Sequence, residues 1–163
     1  MKTITALLLF AATCNTTNAQ TYTLETVNDT LHYLVLHDEA RTDRWRIAFP
    51  VYRMCEGDVN GDGTTEALVG VVKSTRFDKN VARRLFIFKN YHGHIRAMWM
   101  GSQLGGILQD FRFANGKVIT LQSDANGQYA VLEHEWRDFG LGAKRFIAKN
   151  VTEEEAQKYF NEQ

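Results

Sequence analysis

Asp58, Asn60, Asp62, Thr64 and Glu66 fall on alternate positions of one short stretch, Asp-Val-Asn-Gly-Asp-Gly-Thr-Thr-Glu. Oxygen-bearing side chains at that spacing can converge on a single point if the chain turns tightly. Gly63 supplies the conformational freedom for such a turn. A hard cation such as calcium takes about six to eight oxygen ligands. Asp58, Asn60 and Asp62 would give side-chain oxygens, Thr64 its backbone carbonyl, and Glu66 a carboxylate from the ninth position, with water completing the shell. The same residues also suit a metal-free turn, because Asp, Asn and Gly favour turns in any case. Four oxygen positions and a glycine at loop spacing favour calcium. Its role would be structural and its affinity low, with a Kd of about 10⁻⁴ to 10⁻³ M as in extracellular modules.

The stretch is not an EF-hand. That loop closes with a bidentate Glu at its twelfth position, where this chain has Val69. No helix pattern flanks the loop, which leads instead into the apolar run Glu66-Ala-Leu-Val-Gly-Val-Val72. Over residues 57–71 (GDVNGDGTTEALVGV) the chain resembles the calcium-loop repeats of FG-GAP and VCBS-type β-propeller proteins, in which a D-x-[DN]-x-D-G-x-x-[DE] loop feeds a β-strand. The resemblance implies Asp58, Asn60, Asp62 and Glu66 as ligands and Thr64 through its carbonyl. The repeats usually carry Asp where this chain has Glu66. Only one such loop is present. A propeller needs about four blades or more of four strands, at roughly 40 to 50 residues each. The chain has room for two and a half to three blade-like sheets, open or sandwiched.

Other chemically capable residues lack a complete set. His92-Gly93-His94 has no third metal ligand nearby in sequence, and a hairpin turn explains it as well. Ser102 is not in a G-x-S-x-G elbow. Gly140-Leu141-Gly142 lacks the third glycine of a nucleotide loop. Glu133 and Glu135 would share one face of a strand, as a pair of glycosidase carboxylates does, although solvent-facing acids are commoner there. Trp45, Trp99 and Trp136 could stack sugars, with a β core as the alternative.

The elements that must position these residues read as strands. Aromatic and β-branched runs recur between turn residues every 8 to 12 positions or so. Strands are predicted at 22–27, 31–37, 44–49, 66–72, 84–88, 95–100, 107–113, 117–122, 128–136 and 139–148, with 51–54 a continuation after Pro50. Residues 73–83 read as a polar loop. Asn115-Gly116 and Asn126-Gly127 mark tight hairpins, so the pairing is antiparallel. Thr152 followed by Glu155 is a capping box and opens a helix over 152–160. The fold class is therefore all-β, about ten antiparallel strands with one C-terminal helix, in a single domain over 20–163.

Residues 1–19 read as a secretory leader: Lys2, an apolar run from Ile4 to Ala12, then a polar stretch ending in Ala19. The run is shorter than the roughly 20 residues a membrane span needs. The protein is thus expected to be exported, periplasmic or extracellular and bacterial. Residues 11–14 carry a departed form of a lipoprotein box, with Ala11 where Leu is usual and Thr13 where a small residue is usual; lipidation of Cys14 is the alternative processing. Cleavage leaves Cys55 as the sole cysteine, which excludes an intramolecular disulfide. With 19 basic and 19 acidic residues overall and Lys2 in the leader, the remaining chain carries a net charge near −1. It lacks the basic excess of a nucleic-acid binder. No transmembrane-length run follows the leader. The sequence therefore points to an exported β module built around one calcium, binding a protein or glycan. Two other readings stay open: a small hydrolase using Asp110, Glu133, Glu135 or histidines, and a lipid-anchored accessory subunit.

Overall fold

The structure, a computed structural model, describes residues 20–39, 41–76, 78–101 and 104–162. The leader, Cys14 and Ser102 lie outside them. The described residues form eleven strands and one helix. Strands β1 (Thr21–Asn28), β2 (Leu31–Asp38) and β3 (Arg41–Ile47) make a first sheet. A second holds β4 (Val51–Gly57), β5 (Glu66–Lys73), β6 (Ala82–Tyr91) and β7 (His94–Met100). A third holds β8 (Ile107–Ala114), β9 (Lys117–Ser123), β10 (Tyr129–Arg137) and β11 (Gly140–Val151). Helix α1 spans Glu153–Asn161. Every pairing joins consecutive strands and is antiparallel. The all-β antiparallel class with a terminal helix is the one the turn spacing predicts. The eleventh strand is the segment after Pro50, which pairs in its own right.

The local signals act where they stand. Pro50 has no N–H to give a ladder, and it falls where the chain leaves the first sheet and enters the second. His92 and Gly93 both have positive φ, 53° and 77°, as do Asn115 and Gly116, 51° and 71°. These are two-residue turns whose twist matches the strands they join. Thr152 caps α1 as its sequence predicts: Glu155 N–H donates to the Thr152 hydroxyl at 3.3 Å, and Thr152 N–H donates to the Glu155 carboxylate at 3.0 Å.

Successive residues of a strand point to opposite faces, and in the middle sheet the two faces join different cores, which stacks the elements in layers. In the second sheet Ala67, Val69, Val71, Phe86 and Phe88 pack against Tyr22, Leu34, Leu36 and Ile47 of the first sheet. The opposite face, with Leu68, Leu85, Ile87 and Trp99, meets Leu108, Phe111 and Val118 of the third. The third sheet's other face, Ile119, Leu121 and Val131, is covered by Ala156 and Phe160 of α1. A sheet covered on both sides needs apolar residues at successive positions, which is why Glu66–Val72 reads as a continuous run. Two glycines let the second and third sheets close. A Cβ on Gly57 would lie 2.1 Å from the Phe113 ring, and one on Gly70 would lie 2.5 Å from Tyr52 and 2.7 Å from Phe111. Arg53 Nε and Asp110 Oδ1, 2.7 Å apart, add an ion pair across the same seam. Among the described residues no helix is long and apolar enough to cross a membrane.

Candidate metal centre

The oxygen-rich stretch is the connection between β4 and β5, a hairpin loop in the middle sheet. Its ends are fixed by the ladder, where Gly57 pairs with Glu66. Its middle is pinned by Val59, an apolar residue in a polar loop that is buried against the core between the second and third sheets. Gly61 and Gly63 both take positive φ, 77° and 83°. The chain therefore turns twice, once at a glycine the spacing argument uses and once at one it does not.

Inside the loop the side chains bind the backbone. Asp58 Oδ1 accepts from the Gly61 and Asp62 N–H groups at 2.7 and 3.1 Å, and Oδ2 from Gly63 N–H at 2.9 Å. Asn60 Oδ1 accepts from Asp62 N–H at 3.0 Å, and its amide donates to Asp62 Oδ2 at 2.8 Å. Asp62 Oδ1 accepts from Thr64 N–H at 2.8 Å. Glu66 Oε2 accepts from Val59 N–H at 2.8 Å. Each carboxylate or amide oxygen has room for about two donors. Asp58 Oδ1 is filled by these bonds; Asp62 also bonds the Thr64 hydroxyl, and Glu66 also accepts from the Asn60 N–H. Asp58, Asp62 and Glu66 do not stand as a ready-made group of three: among the described residues no three His, Cys, Asp or Glu side chains are gathered closely enough to hold a metal. As described, the loop is tied to its own N–H groups.

Charge in the loop is mainly negative, with the Lys89 ammonium acting on Asp62 from outside it. Among the described residues none of the three carboxylates has a salt bridge. Glu66 is 1% exposed. Its carboxyl is pushed up from the ordinary 4.5 to about 7, chiefly by burial and also by the Asp62 and Asp58 charges, with the Val59 and Asn60 N–H groups opposing. Burial also raises Asp62, but the Asn60 amide and the Thr64 N–H outweigh it and hold Asp62 below the usual carboxylate range.

The remaining candidates separate. Asp110 is tied to Arg53. Glu133 is tied to Lys144 at 3.0 Å and Arg145 at 2.7 Å, and Glu135 to Arg137 at 2.9 Å. Glu133 and Glu135 line different cavities. Arg41 donates to His94 Nε2 at 2.7 Å and His94 Nδ1 lies 3.7 Å from Asp43, whereas His92 meets the Tyr91 ring edge-on, so the two histidines take separate partners. His134 is buried beside Thr120 and Gln122, and burial lowers it to about 4. Trp45 packs on Phe88 in one core while Trp99 and Trp136 belong to the other, so the three tryptophans form no common platform. Cys55 is half-buried, and burial raises its thiol to about 11. A thiol held that far up is a poor nucleophile at neutral pH.

The chain matches no protein-family model, no curated protein and no solved structure.

Proposed function

We propose that the protein is an exported binding module whose β4–β5 loop holds one calcium ion, with Asp58, Asn60, Asp62 and Glu66 as side-chain ligands and Thr64 through its carbonyl. The observation that carries this reading is Glu66. A glutamate buried beside two aspartates, with no cation paired to any of them, is costly unless it is protonated or a cation arrives. Every group offered is a hard oxygen, which suits calcium and not a softer transition metal. Val59 and the Gly57–Glu66 pair hold the loop's ends, so a modest rotation of the Asp and Asn side chains is what binding asks. The role is structural: the ion would tie a loop to the core of the middle sheet. The export part of the reading rests on the leader. The binding part rests on a stack of sheets in which Asp110, Glu133 and Glu135 each sit in their own ion pairs and the histidines take separate partners, which gives the hydrolase alternative no shared centre to work from.

The test is thermal melting with added calcium. Millimolar calcium should raise the Tm, and Asp62→Ala should abolish the rise. An unchanged melt at 10 mM calcium, roughly ten times the weakest affinity expected for such loops, removes the metal. Intact mass of the native protein separates cleavage after Ala19 from lipidation at Cys14.

A further inference from the structure

The outer wall of the loop is also the wall of a cavity. Asp58 and Asn60 face the start of β9 and the end of β10, where Lys117, Glu135 and Trp136 complete an enclosure of about 350 Å³. That is within the range of small-ligand sites, roughly 300 to 1,000 Å³. Trp136 packs against the core between the second and third sheets and is still partly exposed to the cavity. Around it stand two carboxylates, one amide and one ammonium. Glu135 is already paired with Arg137 at 2.9 Å and Asp58 belongs to the calcium loop, so with the ion bound both carboxylates are compensated and Lys117 is left as a hydrogen-bond donor. We propose that this cavity binds a neutral saccharide, and that calcium in the loop fixes the wall bearing Asp58 and Asn60. The second clause rests on the calcium reading above.

The chemistry on each side of the cavity matches that ligand. A pyranose has an apolar C–H face, which an indole ring covers while its polar edge stays wet. Its vicinal hydroxyls both donate and accept, and so can use carboxylate, amide and ammonium groups together. Calcium and sugar would each favour the ordered loop, so each must tighten the other's binding by the same factor.

The three indole N–H signals of the full-length exported protein give a direct readout. In millimolar calcium, titration with cellobiose, maltose, lactose and chitobiose should move the Trp136 signal saturably with at least one of them. Trp45 and Trp99, which lie in other settings, should not move. Lys117→Ala and Glu135→Gln, both changes at the rim that leave the core packing intact, should each weaken binding roughly tenfold, the worth of one charge-assisted hydrogen bond. Removing calcium with a chelator should weaken it several-fold. Trp136→Phe keeps the packing and should weaken binding less than Trp136→Ala. A protein that calcium stabilises but whose Trp136 signal no disaccharide moves overturns the saccharide site, leaves the metal standing, and directs attention to a protein partner. Sugar binding that is indifferent to calcium, in a protein whose melt calcium does not shift, overturns the coupling together with the reading beneath it.

Discussion

Glu66 and Glu133 are both buried, 1% and 6% exposed, and they sit in opposite electrical company. Glu133, on β10, is met across the sheet by β11, where Lys144 and Arg145 each bring a cation within 3.0 Å. The Lys144 hydrogen bond comes first among the causes that hold its carboxyl below the usual range, and burial is overcome. Glu66 has two aspartate neighbours and no such partner, and with burial as the largest cause its carboxyl rises to about 7. Burial alone therefore does not decide what a carboxylate is for. A buried acid that the fold supplies with cations is part of the scaffold. One that the fold leaves among other acids must keep its proton or take a charge from outside the chain, which is why the loop and not the β10 cluster is the candidate centre.

The widest separation of the two should appear in metal-free stability against pH. A glutamate whose folded-state carboxyl is raised costs nothing while protonated in both states, below about 4.5. As pH rises through the window from about 4.5 to about 7 the unfolded chain loses the proton first, and stability falls by roughly 3 kcal/mol before levelling off. Chemical denaturation at pH 5 and pH 8 in chelator reads that loss directly. At pH 8, calcium at ten to a hundred times its Kd should return roughly 1.5 to 3 kcal/mol. Glu66→Gln should flatten the metal-free profile, make the protein more stable than the parent at pH 8 in chelator by up to about 2 kcal/mol, and eliminate the response to calcium. A parent profile that stays flat from pH 5 to 8 without metal would show that Glu66 already has its counter-charge.

How far such a distinction could be read from the sequence depends on the distance over which each feature acts. The Thr152–Glu155 capping box, the Asn115-Gly116 turn and the break at Pro50 are decided by residues a few positions apart, and each lies where its chemistry predicts. The run Glu66–Val72 announced a strand covered on both sides, and the two cores on either face of β5 are that cover. The spacing of the loop oxygens was equally local. The company each acid keeps was not. Glu133 meets Arg145 in a ladder whose register shifts twice between Tyr129 and Leu132 and again after Glu133, and no local pattern encodes those bulges. Val59 shows the same limit from the other side. A lone apolar residue in a polar loop is a visible signal, but its destination is a core shared with Phe111 of the third sheet. Gly57, which reads as the strand's end, is required by the approach of Phe113 from β8.

Smaller effects test the Glu133 half of the comparison. Lys144 and Arg145 have side chains 42% and 59% exposed, so water screens both pairs and takes back much of their value. Glu133→Gln keeps the shape of the side chain and one acceptor for the two cations. It should cost roughly 1 kcal/mol at pH 7, with no effect on any calcium-induced shift of the melt. Since the folded-state carboxyl is lowered, that contribution is present above the unfolded value of about 4.3 and vanishes as pH falls through the lower folded one. Parent and variant should thus converge in acid and diverge towards neutrality, the reverse of the Glu66 pattern.

The smallest effect is expected from Lys144→Ala, near 0.5 kcal/mol, because Arg145 remains on the same carboxylate. A double-mutant cycle between Lys144→Ala and Glu133→Gln should return a coupling of that size, shrinking in high salt as exposed pairs do. Salt should leave the Glu66 cost nearly unchanged by comparison, since burial is the largest contribution to it. A coupling several times larger, insensitive to salt, would mean that the β10 cluster is shielded as deeply as the loop carboxylate. The difference between the two glutamates would then lie in their partners alone and not in their access to solvent.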